Sequence, residues 1–120
     1  DRIHVYGHQK EFLSLMSCLD LLVMPSYQET YSILIINSFA LGIPVLSTND
    51  GGTPDLIGIN EERGFLVEPK NIQDLKEKIK WVLDHPLELK NRKVGCTNYV
   101  DKNHDSKVIT EEYLQSYLIQ

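Results

Sequence analysis

Two short polar segments carry residue types that bind phosphate and sugar groups. The first runs from Glu29 to Ser32 and precedes an apolar stretch, and the second, at 51–54, has the sequence Gly-Gly-Thr-Pro. Glycines allow positive φ and a close approach to a ligand, and Thr53 followed by proline is typical of a helix start. A helix N-terminus offers unpaired N–H groups and a partial positive charge, which suit phosphate. Two such ends side by side predict a diphosphate site.

The first segment begins with a carboxylate. Glu29 would repel a phosphate, but it can accept hydrogen bonds from the hydroxyl groups of a sugar. Together with the two helix starts, it indicates a ligand in which a sugar is linked to a diphosphate. The residues alone leave the alternative open, because many α/β proteins have Gly-Gly loops without a ligand and an exposed loop glutamate needs no function.

Apolar runs before both segments predict the strands that would position them. We predict parallel strands at 3–6, 21–24, 45–48 and 65–67. Ligands of such sheets bind beyond the carboxyl ends of the strands, so both polar segments would lie at one edge. The stretch 32–41 has enough β-branched residues for a strand. Its length, the following Gly42 and Pro44, and the crossover that parallel strands require favour a buried helix instead.

Amphipathic spacing predicts the remaining helices. They fall at 10–19, 72–83, 87–100 and 106–118, the last with an inner face of Ile109, Tyr113, Leu114, Tyr117 and Leu118. The predicted fold class is therefore α/β, a Rossmann-like parallel sheet with flanking helices. Because the first predicted strand begins within two residues of Asp1, we expect the chain to be part of a longer protein.

The composition limits the classes of function. The chain has 120 residues, 42% of them hydrophobic, and a net charge of −5, which fits one domain and argues against nucleic acid as a partner. No run is long enough to cross a membrane, and no signal peptide opens the sequence. Cys18 and Cys96 lack metal-ligand spacing, and we interpret them as free thiols in a reducing compartment.

Several motifs occur together in a fixed order. They are Pro25-Ser26-x-x-Glu29-Thr30-Tyr31-Ser32, Phe39-Ala40-x-Gly42-x-Pro44-Val45, Gly51-Gly52-x-x-Asp55-Leu56-Ile57 and Gly64-Phe65-Leu66-Val67. In this order and spacing they resemble the C-terminal donor-binding domain of retaining GT-B glycosyltransferases, the family-four enzymes that include glycogen and sucrose synthases. The resemblance covers nearly the whole chain.

The resemblance implies a role for each matching residue. Glu29 corresponds to the catalytic-site glutamate that contacts hydroxyls of the donor sugar. The backbone amides of the next three residues would hold the pyrophosphate, the strand end at 7–8 would lie near the nucleobase, and the glycine pair would lie near sugar and phosphate. The pyrophosphate-binding residues are Thr30, Tyr31 and Ser32, and the residues near the nucleobase are Gly7 and His8. The glycine pair is Gly51 and Gly52.

The sequence departs from the family pattern in specific places. Asn37 stands where the family has a second glutamate that binds the ribose diol, and it lacks the charged acceptor pair. The alternative for Asn37 is a plain solvent-facing helix residue. Ser32 replaces a common glycine, and Asp55 replaces a common glutamate. In the family, the Arg and Lys that neutralise the pyrophosphate, and the acceptor domain, lie upstream of the matching region.

We therefore expect residues 1–120 to be a partial donor domain. The parent would move a sugar from a nucleoside diphosphate sugar to a glycan or lipid-linked acceptor with retention of configuration, and the chain alone would be inactive. The resemblance implies no cofactor and no metal, an N-terminal acceptor domain as partner, and a cytoplasmic location that includes peripheral association with the membrane. The alternatives are a degenerate or truncated non-catalytic nucleotide-sugar-binding module and an unrelated α/β nucleotide-binding domain.

Overall fold

The computed structural model describes residues 2–118, apart from the side chain of Tyr117. Its elements in chain order are α1 (Phe12–Met16), β1 (Leu22–Met24), α2 (Ile33–Ala40), β2 (Val45–Thr48), α3 (Thr53–Ile57), β3 (Gly64–Val67), α4 (Ile72–Asp84), α5 (Pro86–Asn103) and α6 (Ser106–Leu118). The three strands form one parallel sheet in the order β1-β2-β3. In its register Leu22 pairs with Val45, and Val45 pairs with Gly64. The predicted α/β fold with a parallel sheet and flanking helices is confirmed.

The ambiguous apolar stretch after β1 is a helix, as predicted. α2 connects two parallel strands, and Ile35 and Phe39 on its inner face are 0% exposed. Gly42 follows it with a φ of +70°, a conformation that glycine adopts without a steric cost. The helical assignment therefore follows from chain connectivity and the end signal, which outweigh the β-branched composition.

Hydrophobic clusters cover both faces of the sheet. Val45 on β2 packs into a cluster with α2, α3 and α5, and the next residue, Leu46, packs into a second cluster with β3 and α4. Successive residues of a strand point to opposite faces, so a strand with both faces covered is apolar or small throughout. All four residues of β2 are buried. The central strand is thus held rigidly from both sides, and its carboxyl end is a fixed platform for the loop that follows.

The predicted strand at 3–6 is wrong. This segment is irregular and exposed, with Ile3 85% and Val5 93% exposed. A strand needs a neighbour to pair its backbone N–H and C=O groups, and in residues 2–118 the sheet contains only β1, β2 and β3. The alternating sequence therefore has no ladder to join. The adjacent predicted helix is also shorter than 10–19, because α1 spans only Phe12–Met16.

The predicted inner face of the last helix is also largely wrong. α6 is present, but Tyr113, Leu114 and Leu118 are exposed, while Ile109 is half-buried. The Tyr117 side chain lies outside the described part of the chain. Within that part α6 makes its main contact with α5, so the helix reaches away from the sheet and its apolar residues have little to pack against. The amphipathic pattern predicted the helix correctly and its packing incorrectly.

Candidate functional site

The two polar segments lie against each other at the carboxyl edge of the sheet. Loop A (25–32) follows β1, and loop B (49–52) follows β2. The Gly52 N–H donates to the Thr30 carbonyl oxygen at 2.8 Å, and the Glu29 N–H donates to Asp50 Oδ2 at 3.2 Å. Because these bonds join residues more than twenty positions apart, the two loops act as one structural unit.

The glycines of loop B are needed for this contact. Gly51 has a φ of +54°, and a Cβ on it would lie 1.7 Å from the Glu29 carbonyl oxygen. A Cβ on Gly52 would lie 2.2 Å from the Thr30 carbonyl oxygen. Sequence reasoning attributed the glycine pair to close approach of a ligand. In the structure, the backbone that approaches them is that of loop A.

Hydroxyl groups on β2 anchor the end of β1 and the start of loop A. Ser47 Oγ donates to the Met24 carbonyl at 2.9 Å, and Thr48 Oγ1 donates to the Ser26 carbonyl at 2.7 Å. Sequence reasoning missed these two residues and Asp50. The available signal was their polarity, since hydroxyl side chains in an otherwise apolar buried strand need hydrogen-bond partners. They hold in place the segment that presents Glu29.

The Glu29 side chain already has a backbone partner. Its Oε1 accepts a hydrogen bond from the Thr30 N–H at 3.2 Å, and the residue is half-buried. It lines a shallow cleft with Gln28, Thr30 and Asp50, which thus contains two carboxylates and no basic side chain. A cleft of this charge disfavours a phosphate beside Glu29 and suits hydroxyl donors.

The start of α2 provides backbone donors next to this cleft. Ser32 is the N-cap residue, and its hydroxyl is turned inward toward Met24 Sδ at 3.7 Å and does not cap the helix. The first-turn N–H groups of α2 therefore have no capping partner from Ser32. α3 differs from the prediction, because Gly52 and not Thr53 is its N-cap residue. Thr53 Oγ1 is buried without a hydrogen-bond partner among the described atoms.

Tyr31 is held by residues from the far end of the chain. Its hydroxyl lies 3.3 Å from His104 Nε2, just beyond the end of α5. Partial desolvation, followed by the neighbouring Tyr99 hydroxyl, raises the pKa of Tyr31 to about 12, although the residue is 49% exposed. The phenol therefore stays protonated at neutral pH and can donate a hydrogen bond.

Three predicted site residues are not part of the contact between loops A and B. Gly7 and His8 are in the exposed segment before α1, and the described residues contain no hydrogen bond from them to loop A or B. Asn37 is half-buried on α2, and within residues 2–118 its side-chain amide makes no hydrogen bond. The structure brings together Glu29, Thr30, Tyr31, Ser32, Gly51 and Gly52.

Within the part of the chain that the structure describes, no group of three or more His, Cys, Asp or Glu side chains is arranged to hold a metal ion. In that same part, none of the helices combines the length and the apolar character needed to cross a bilayer.

Comparison with known proteins gives consistent similarities. The chain is 28% identical to the N,N'-diacetylbacillosaminyl-diphospho-undecaprenol alpha-1,3-N-acetylgalactosaminyltransferase of Campylobacter jejuni, covering 96% of this chain and 30% of that protein. It is 26% identical to the glycogen synthase of Mycobacterium tuberculosis, covering 93% and 27%. The chain therefore spans less than a third of the length of these relatives.

Solved structures show the same architecture. The sucrose-phosphate synthase of Thermosynechococcus elongatus superposes with a TM-score of 0.78 at 27% identity, over 94% of this chain and 28% of that one. HepE of Anabaena, solved in complex with UDP, superposes with a TM-score of 0.78 at 20% identity, over 88% and 29%. The sequence model of the family described as glycosyl transferases group 1 matches residues 1–97. The chain therefore belongs to the group 1 glycosyltransferases and has the fold of a GT-B glycosyltransferase domain.

Proposed function

We propose that this chain is the donor-binding part of a glycosyltransferase that transfers a sugar from a nucleoside diphosphate sugar, with retention of configuration, to a glycan or lipid-linked acceptor. The observation that carries the proposal is the junction of loops A and B. It combines a carboxylate at Glu29 with uncapped N–H groups at the start of α2. Family membership and the UDP complex of the HepE neighbour support the choice of donor.

Glu29 has a defined part in this proposal. Its carboxylate accepts hydrogen bonds from hydroxyls of the donor sugar, and in the free chain the Thr30 N–H occupies that acceptor. A sugar that draws the carboxylate toward its hydroxyls releases the Thr30 N–H. That N–H then becomes one more donor for the diphosphate. Sugar and diphosphate would thus be bound in a coupled way by adjacent groups of loop A.

The diphosphate would be bound mainly by backbone donors in this chain. The available donors are the backbone N–H groups of residues 30–32 and of the first turn of α2, since the Gly52 N–H is already bonded to the Thr30 carbonyl. The chain carries a net charge of −5, and no basic side chain lines the cleft. A leaving diphosphate needs more charge stabilisation than exposed dipoles provide. We therefore place the cations that complete the site, and the acceptor-binding domain, in the remainder of a longer parent protein. We assign no metal or other cofactor to the site.

The setting of the parent follows from the same proposal. Two free thiols, at Cys18 and Cys96, fit a reducing cytoplasm. A lipid-linked acceptor would bring the parent to the inner face of the membrane by peripheral contact.

Asn37 favours a second candidate function. The half-buried amide occupies the position of a family glutamate and has no partner among the described residues. An amide cannot supply the charged acceptors that bind a ribose diol strongly. The second candidate is a degenerate module that binds a nucleotide sugar weakly and catalyses nothing.

Replacement of Glu29 separates the two candidates. In the full-length parent, Glu29→Ala should lower the rate of transfer by about tenfold to a hundredfold, because loss of a charged hydrogen bond costs about 1.5–3 kcal/mol. Glu29→Gln, which keeps the shape and loses the charge, should fall between. Glu111→Ala on exposed α6 is the matched control and should retain wild-type transfer. A Glu29→Ala enzyme within about twofold of wild type, or a wild-type parent without transfer activity, would contradict the catalytic assignment.

A further inference from the structure

A set of aromatic and basic side chains joins the end of α5 to the candidate site. The Tyr31 ring faces His104, with ring centroids 6.2 Å apart and the hydroxyl 3.3 Å from Nε2. The His104 ring also lies 5.4 Å from the Tyr99 ring. We call Tyr31, Tyr99, His104 and Arg63 the aromatic strut. It connects loop A to the end of α5, the helix that packs against α2.

The strut is fixed to the core at its Tyr99 end. The Tyr99 ring meets buried Phe39 edge-on, at 6.1 Å between centroids and 84° between ring planes. The Arg63 guanidinium lies over the same ring, 4.2 Å from its centroid. Both geometries are favourable for aromatic and cation–π contacts. His104 therefore sits on a rigid support.

Arg63 links the strut to the second half of the site. Its guanidinium donates to the Leu56 carbonyl at 2.6 Å and to the Asp55 carbonyl at 3.1 Å, both in α3. α3 begins directly after loop B. The strut thus holds loop A through Tyr31 and the helix after loop B through Arg63. It braces the two segments whose junction forms the cleft.

We propose that His104 is a positioning residue for the donor site, acting through Tyr31 on the backbone of residues 30–32. It lies beyond residues 1–97, the part that the family pattern covers. Loop A is bonded to β2 and loop B at Ser26, Glu29 and Thr30, whereas the next residue, Tyr31, is 49% exposed. If His104 did not hold the Tyr31 ring, the backbone around it would sample more conformations, and binding would have to order them at a cost in entropy. Holding the Tyr31 ring fixes the backbone on either side of it, so that the N–H groups are preorganised for a diphosphate. This inference rests on the proposed function.

Hydrogen exchange in the ligand-free 120-residue chain tests the positioning role. His104→Ala should speed exchange of the Gly52 N–H, which is bonded to Thr30, by about fivefold to tenfold, the effect of losing one hydrogen bond. His104→Gln places an amide group near the lost Nε2 and should restore exchange to within about twofold of wild type. Tyr31→Phe, which removes only the hydroxyl, should resemble His104→Ala. His85→Ala, an exposed histidine stacked on Trp81 at the end of α4, is the control and should have no effect.

Two further measurements separate a local effect on loop A from a general loss of stability and from failure of the diphosphate site. The sheet bond from the Asn49 N–H to the Val67 carbonyl should exchange at the wild-type rate in every variant. Equal acceleration there would show a general loss of stability and overturn the inference, as would an unchanged Gly52 rate in His104→Ala. Because the free chain should bind diphosphates only weakly, inorganic pyrophosphate is added to about tens of millimolar at constant ionic strength. It should shift the amide resonances of residues 30–33 in the wild-type chain and shift them less at equal concentration in His104→Ala. If pyrophosphate leaves the wild-type resonances unchanged, the proposed diphosphate site fails, and His104 has no donor site to position. If the Gly52 N–H of His104→Ala nevertheless exchanges faster than in the wild-type chain, the strut holds loop A and only the proposed function is wrong.

Discussion

Substitution of Gly51 by alanine tests the loop junction most directly. The new Cβ would lie 1.7 Å from the Glu29 carbonyl oxygen and 2.9 Å from the carbonyl carbon. Both neighbours are backbone atoms, so no side-chain rotation relieves the overlap. Loops A and B would have to move apart.

The expected cost has two parts. A non-glycine residue at a φ of +54° costs about 1 kcal/mol. Separation of the loops also breaks or weakens the bond from the Gly52 N–H to Thr30 and the bond from the Glu29 N–H to the Asp50 carboxylate. These bonds are worth about 0.5–1.5 and about 1.5–3 kcal/mol. Because the loops can relax in part, we expect Gly51→Ala to lower the free energy of unfolding by about 2–4 kcal/mol.

Gly7 offers a matched control. It has nearly the same backbone conformation, with a φ of +62°, but a Cβ on it would have nothing within 4 Å. Gly7→Ala therefore carries the conformational cost without the steric one. Both substitutions also restrict the unfolded chain equally, so that this effect cancels in the comparison.

Urea denaturation of the two variants and the wild-type chain measures the difference. Gly51→Ala should be less stable than Gly7→Ala by about 1–3 kcal/mol, and with a slope of about 1–3 kcal/mol/M its midpoint should be lower by about 1 M. Amide resonances of residues 29–31 should shift in Gly51→Ala and stay in place in Gly7→Ala. Stabilities of the two variants within about 0.5 kcal/mol of each other would refute the claim that the loops meet at Gly51.

The remaining predictions concern nucleotide binding and the thiols. Asn37→Glu in the full-length parent should tighten nucleotide binding by about 1 kcal/mol in a calorimetric titration, and unchanged or weaker binding would show that this side chain does not face the ribose. The 120-residue chain by itself should bind uridine and guanosine diphosphates at millimolar concentration or weaker and transfer no sugar, so micromolar binding by NMR titration would contradict the placement of the cations outside it. A thiol reagent should label exposed Cys18 quickly and buried Cys96 only on unfolding. Burial raises the pKa of the Cys96 thiol from 9.0 to about 12. The stability that the neutral thiol contributes is therefore complete below pH 9 and is lost as the pH rises toward 12. The melting temperature should fall over this range, and a rise would contradict the assignment.

Local sequence features predicted the parallel sheet and its crossover helix correctly. The signals were the polar turns after β1 and β2 and the residues Gly42 and Pro44 after α2. They act over a few residues and can be identified from the sequence alone. Since parallel strands end at a common edge, the same features also placed loops A and B side by side. The identities of the proposed site residues remain a prediction that only binding and activity measurements can test.

Contacts between distant segments decided whether residues 3–6 form a strand and whether the apolar side of α6 is buried. Residues 3–6 have the alternation of a strand, but a strand forms only where a neighbouring ladder exists. The exposed side of α6 shows the same limit, because an apolar face is buried only if another element covers it. Periodicity describes which conformation a segment can adopt. It does not determine whether the rest of the chain provides a partner.

The sequence by itself determined the order of strands and helices from β1 onward and the sheet edge at which loops A and B meet, because these depend on local backbone preferences and on chain connectivity. Only the tertiary structure showed that Gly51 makes room for the backbone of Glu29, that Asp50 and Thr48 hold loop A, and that His104 reaches Tyr31 from 73 residues away. Each of these contacts depends on distances between groups that the chain brings together only after the sheet and α5 have packed, and no local pattern encodes such distances.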